Sequence, residues 1–242
     1  MASLTLPPVA VALPGTGSDA DFAARAFTDA LSQIGVHVIA VEPDPARLVG
    51  SYLDALNSAV RQHGQILAAG ISIGASIALQ WATEHPDRAA GVLAALPAWT
   101  GDPANAPAAL SAAYTAGRLR ADGLDAVTAE MTASSPTWLA GELERSWRSQ
   151  WPQLPLALDE AARYHAPTAD DMARCEVPVG ICAAVDDAVH PLTVSQDWTR
   201  MLPHSMLGTV TLDEIGADPS VLGRVSLDAL QRVSPAAAHR VG

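Results

Sequence analysis

The sequence predicts an α/β protein: a mainly parallel sheet with helices on both faces, interrupted by a helical insertion. Three observations carry that expectation. Short apolar runs alternate with longer stretches of helical periodicity, which is the pattern of strand–helix units. The runs are apolar throughout, as strands covered on both faces must be. Between residues 98 and 174 the alternation stops, and proline-punctuated helical stretches replace it. Hydrophobic residues make up 49% of the 242, and charged residues only 17%, so the chain can bury a large core and is not disordered.

The elements follow in order. Val9-Ala10-Val11-Ala12-Leu13 reads as a buried strand closed by Pro14-Gly15-Thr16-Gly17. Ser18 is placed to cap a helix whose apolar face runs through Phe22, Phe27, Leu31 and Ile34. A second strand over 36–41 stops at Glu42-Pro43-Asp44-Pro45, and a helix carries Leu48, Tyr52, Leu56, Ala59 and Val60 on one side. The third strand spans 65–71 with a helix over 75–85, and the fourth spans 91–96. After the insertion come strands over 177–184 and 206–212, with a helix containing Trp198 between them, then a last helix over 220–231. The expected division is a core of 1–97 and 175–242 with a lid of 98–174. No internal repeat is present.

Charge and cysteine usage narrow the function classes. A formal net charge of −12 repels phosphate backbones and anionic lipid, so neither nucleic acid nor a membrane is an expected partner. No stretch is long and apolar enough to span a bilayer, and no basic, apolar leader is visible, so a cytoplasmic protein is expected. The two cysteines, Cys175 and Cys182, form no CxxC pair and read as buried thiols. The histidines are dispersed and no metal-ligand spacing occurs, so no metal and no cofactor is expected. Gly15-Thr16-Gly17 raises a dinucleotide site, but position 20 is alanine where that fingerprint needs glycine.

The chemistry concentrates at G-I-S-I-G (70–74), where a strand turns into a helix. A serine hydroxyl needs a base within hydrogen-bond reach, and a sharp strand-to-helix turn thrusts it out of the sheet. Gly70 and Gly74 let such a turn close, and the free N–H groups of the following helix face the site. Ser72 is therefore the candidate nucleophile, expected to project into a cavity beneath the lid.

Nearly the whole chain resembles the α/β-hydrolase superfamily. The matching pieces are L-P-G-T-G-S-D (13–19), the elbow at 70–74, H-P-D-R-A-A-G-V-L (85–93) and V-P-V-G-I-C-A-A-V-D-D-A-V-H-P (177–191). The resemblance implies an oxyanion hole made by the main-chain N–H groups of Thr16 and Ile73. It also implies an orienting acid after the strand over 177–184, which Asp187 fits, with Asp186 as a close rival. The family then places a histidine after the last strand, where this chain has Gly216-Ala217.

With Ala217 in that place, three readings stay open. Another histidine supplies the base; or the fold binds an apolar ligand, or catalyses proton transfer or elimination, without serine attack; or it is a scaffold. For the first reading His190 is the leading candidate, paired with Asp187 or with Asp218 beside the vacant slot. His165, in the lid, is a second candidate. His37, His63, His85 and His204 read as structural, and His239 lies in the C-terminal tail. Trp99, Trp138, Trp147 and Trp151, with Tyr114, Leu139 and Leu143, are the expected pocket surface; Trp147 and Trp151 share a helical face that also suits packing. The expected activity is hydrolysis or transfer of an apolar or aromatic acyl group from an ester or thioester, which a carrier could present. The reading allows a homodimer.

Overall fold

The computed structural model describes residues 6–233; His239 lies outside the described residues. Six parallel strands form one sheet: β1 (Val9–Leu13), β2 (His37–Ala40), β3 (Ile66–Ile71), β4 (Ala89–Ala95), β5 (Val179–Ala184) and β6 (Ser205–Val210), in the order β2-β1-β3-β4-β5-β6. The order reverses direction at β1/β3, which is where ligands gather on such sheets.

Alternation along each strand separates two cores. Val9, Val11 and Leu13 face one side, packed with α2 (Leu48–His63), α3 (Ile73–Glu84) and α9 (Leu192–Met201) through Tyr52, Leu56, Ile77, Trp81 and Trp198. Ala10 and Ala12 face the other side, against α1 (Ala20–Ser32) and α11 (Val221–Arg232) through Phe27, Leu31, Leu222 and Leu230. The sequence-based boundaries shift by one to two residues at most strand ends. Two assignments are corrected. Asp19, not Ser18, caps α1, accepting from the Phe22 N–H at 3.0 Å, and Ile34 lies beyond that helix with 41% of its surface exposed.

Between β4 and β5 the chain forms α4 (Pro107–Asp122), α5 (Leu124–Ser134), α6 (Thr137–Gln150), α7 (Leu154–Ala162) and α8 (Ala169–Ala173), with no strand. Ala116, Leu119, Val127, Trp147, Leu154 and Leu158 give these helices an apolar centre of their own. The insertion is tied to the carboxyl ends of the strands. Glu160 on α7 accepts from Leu48 N–H at 2.6 Å and Val49 N–H at 3.3 Å. It thereby supplies the first turn of α2 with the cap that Arg47 lacks. Trp138 on α6 stacks on Phe22 and covers Gly216, where an added Cβ would meet its indole at 2.3 Å.

The sequence missed α10 (Leu212–Ala217), a single short helix after β6. Thr211 and Glu214 close a capping box around its start. It fills the place where the resemblance expected a histidine loop. No helix among the described residues is long and apolar enough to cross a membrane.

Candidate active site

Ser72 ends β3 and opens α3 with φ of 57° and ψ of −119°. A positive φ on a non-glycine residue costs roughly 1–3 kcal/mol. Burial of Ile73, Ile77 and Trp81 on the same helix offsets that strain, at roughly 1.5–3 kcal/mol for each such side chain. The flanking glycines are required by space. A Cβ on Gly70 would lie 2.2 Å from the Gly74 carbonyl carbon, and one on Gly74 would lie 2.4 Å from the Leu13 carbonyl oxygen. The only other non-glycine residue with positive φ among those described is Leu96, at the end of the neighbouring strand β4. The Ser72 N–H bonds to Ala95 O at 2.9 Å, and the Leu96 N–H to Cys182 O at 2.7 Å. Strain is thus gathered at adjacent strand ends.

His190 comes to Ser72 from the loop after β5. Its Nε2 lies 2.9 Å from Ser72 Oγ, and its Nδ1 lies 2.7 Å from Asp187 Oδ2. The other Asp187 oxygen, Oδ1, accepts the N–H groups of Val189 at 2.7 Å and His190 at 3.1 Å. Acid and imidazole are therefore built into one four-residue turn. Burial pushes the Asp187 carboxyl up, but the His190 imidazole and the two backbone N–H groups outweigh it, and the group sits below the usual carboxylate range. An ionised Asp187 keeps the Nδ1 proton facing it and leaves Nε2 with a lone pair toward the hydroxyl.

Beside the elbow runs the loop over 14–19. A Cβ on Gly15 would stand 3.4 Å from the Ser72 Cβ, so the backbone here touches the serine. Thr16 follows directly, and Ile73 holds the first position of α3. Among the described residues neither N–H has an acceptor within the protein, and an N–H in the first turn of a helix has no intrahelical partner.

Other predicted residues lie elsewhere. Asp186 accepts from the Leu212 N–H at 2.9 Å and ties the acid–base loop to α10. Asp218 does not meet His190: it accepts from Ser220 at 2.7 Å and Arg224 at 2.8 Å, which draw its carboxyl down to about 2. His165 is exposed on the loop after α7. Trp99 donates to Tyr164 O at 3.2 Å inside an alanine-rich cluster. Trp147 is buried among the insertion's helices while Trp151, just beyond α6, is 39% exposed, so the two do not share a face. Tyr114 turns to solvent against Arg118. Packing thus absorbs three of the four tryptophans.

Two clefts of the surface lie away from Ser72. One lies between α1 and the segment 218–220, the other below the sheet beside Gln65, Pro86 and Pro178. Ser72 is half-buried and the His190 side chain keeps 17% of its surface, so the pair is reached from solvent. No group of three or more His, Cys, Asp or Glu residues able to hold a metal occurs among the described residues. Cys175 and Cys182 are buried free thiols, and burial, with Glu214 nearby, pushes Cys182 up to about 12.

Solved structures share this architecture. A hydrolase from Oleispira antarctica superposes with a TM-score of 0.73 at 16% identity, over 93% of this chain and 91% of that one. A thermophilic esterase from Thermogutta terrifontis gives 0.70 at 17%, over 94% and 91%. An α/β hydrolase enzyme from a Medee basin deep-sea metagenome gives 0.68 at 16%, over 94% and 90%. This chain has the α/β-hydrolase fold. No family model matches the sequence, and no curated protein matches it. At these identities the likeness fixes the architecture, and the chemistry is left to this chain's own residues.

Proposed function

We propose that this chain is a cytoplasmic enzyme that attacks a carboxylic ester or thioester with Ser72 and hydrolyses or transfers the acyl group. One observation carries the reading: the hydroxyl of a strained serine lies 2.9 Å from an imidazole nitrogen whose ring is held 2.7 Å from a carboxylate. In the attack, His190 Nε2 takes the Ser72 proton as Oγ bonds to the acyl carbon. The N–H groups of Thr16 and Ile73 hold the oxyanion that forms. Asp187 stabilises the resulting imidazolium without taking its proton. His190 then returns the proton to the departing alkoxide or thiolate, which leaves an acyl-Ser72 ester. Water or another acceptor, deprotonated by the same Nε2, releases the acyl group and regenerates the hydroxyl.

The buried tryptophans do not argue for an aromatic acyl group. Val185 and Val189 flank Asp186 and Asp187 with 51% and 41% exposure, and this favours an apolar acyl group beside the imidazole. The net charge of −12 disfavours anionic substrates. The esterase and hydrolase names of the structural neighbours agree with this chemistry.

A fluorophosphonate probe tests the reading. Labelling of the wild type that disappears in Ser72→Ala and His190→Ala is the expected result. An unlabelled wild type that still binds apolar ligands overturns it in favour of a non-hydrolytic binding protein. Aryl esters and thioesters of increasing chain length then rank the acyl group and leaving group by kcat/KM.

A further inference from the structure

Helix α6 buries two polar side chains where alanine would pack at lower cost. Ser146 is 1% exposed and Gln150 is 5% exposed. Burial of a hydroxyl or amide is unfavourable unless it is hydrogen-bonded. The hydroxyl of Ser146 donates to Gly17 O, and Gln150 Nε2 donates to Ser18 O at 2.9 Å. Both therefore serve the loop beside the elbow. Directly before Ser146 on the same helix, Arg145 grips the Asp19 carboxylate through Nε at 3.1 Å and Nη2 at 2.9 Å.

The same loop is held from the core. Tyr52, fully buried on α2, donates its hydroxyl to Pro14 O at 3.0 Å, and the Ser18 N–H bonds to Gly15 O at 3.0 Å. The carbonyls of Pro14, Gly15, Gly17 and Ser18 are thus all engaged; Gly17 O and the Ser18 N–H belong to one peptide, and that N–H bonds Gly15 O in the peptide that carries the Thr16 N–H, so the bond from Ser146 is passed on to the Thr16 peptide. The Thr16 N–H itself has no acceptor among the described residues. Gly17 lets α6 come this close: its φ is 73°, and a Cβ there would stand 2.8 Å from Trp147 Nε1.

We propose that Ser146 and Gln150 are positioning residues for the oxyanion donor at Thr16, so that the lid helix forms half of the frame of the oxyanion hole. This rests on the serine-attack reading above. A donor helps only when it points at the oxygen's position in the transition state, and loss of one such donor costs about 10²–10³ in rate. A loosened donor therefore lowers kcat and leaves KM in place.

The test compares wild type, Ser146→Ala/Gln150→Ala, and Arg120→Ala. Arg120 ties α4 to Asp159 and Pro155 O within the insertion, away from the loop, and serves as the control for general lid loosening. Kinetics on an aryl ester, fluorophosphonate labelling and amide hydrogen exchange over residues 13–20 are measured on all three. The expected result for the double variant is a fall of about 10- to 100-fold in kcat and in labelling rate, with KM unchanged and faster exchange confined to 13–20. Arg120→Ala is expected to stay within about 2-fold of wild type, as for a surface ion pair. Wild-type kinetics in the double variant, or an equal loss in Arg120→Ala, overturns the proposal while serine attack stands. If the wild type fails to label, serine attack falls and exchange alone decides the brace: faster exchange over 13–20 supports it, and unchanged exchange overturns it.

Discussion

The two sides of Ser72 are built by opposite means. On the base side, Asp187 and His190 form a closed unit: three residues apart, one carboxylate binds the imidazole and the two N–H groups of its own turn. On the opposite side, the loop over 14–19, proposed above to hold the oxyanion, is held by residues 126 to 132 positions away on α6, and by Tyr52 on α2. The difference teaches that a carboxylate and an imidazole within one turn form a unit that a single loop can carry whole. Its internal geometry travels with the turn, and only its distance to the serine must be met by the fold. The loop over 14–19 has no such independence.

Substitutions at the centre give the largest effects. Ser72→Ala and His190→Ala are each expected to lower kcat by about 10⁶, since members of such a unit fail together. If the base side is a self-contained turn, Asp187→Asn sharpens the contrast. The asparagine oxygen keeps both backbone N–H bonds while its NH₂ faces Nδ1, which forces the proton onto Nε2. Steady-state kinetics is expected to show a loss of about 10⁴ in kcat with the melting temperature only slightly lowered. A melting temperature that collapses in Asp187→Asn would show that the turn depends on charge, not on bond geometry.

Gly17→Ala attacks the other side. The left-handed backbone and the contact with Trp147 together are expected to cost about 2–4 kcal/mol in urea unfolding, with activity falling in the folded fraction as well. Wild-type stability in this variant would mean that α6 is free to retreat. The ion pair between Arg145 and Asp19 is partly exposed, and Arg145→Ala is expected to cost about 1 kcal/mol or less.

The smallest effect is a pH dependence. The native carboxyl of Asp187 lies below its unfolded value, so it stabilises the fold above about pH 4 and loses that contribution as pH falls through the native value. Acid unfolding curves of wild type and Asp187→Asn should converge toward low pH. Parallel curves across that range would remove the carboxylate from the stability of the turn.

These outcomes track what was legible in the residues. The spacing of Gly70, Ser72 and Gly74 announced the elbow, because a turn that tight excludes every other side chain. Asp187 and His190 were readable as candidate acid and base, with the partner of the imidazole left open between Asp187 and Asp218, and the strand–helix alternation was readable outright. Asp218 misled because adjacency in sequence to Ala217 stood in for proximity in space; Arg224 and Ser220 hold it away. The tryptophans misled for a similar reason. Helical spacing placed Trp147 and Trp151 on one face, but α6 ends between them.

The sequence by itself determined the parallel α/β class and the glycine-flanked turn at Ser72, and it named the His190 imidazole without fixing its partner, since steric limits and periodicities act within a few residues. Only the tertiary structure decided that this imidazole meets Ser72, that α10 and Trp138 close the place beside Ala217, and that Ser146 and Gln150 support the loop of Thr16. Those contacts join segments more than a hundred residues apart, or lie between packed elements, and no local pattern encodes them because their partners are fixed by how the helices dock.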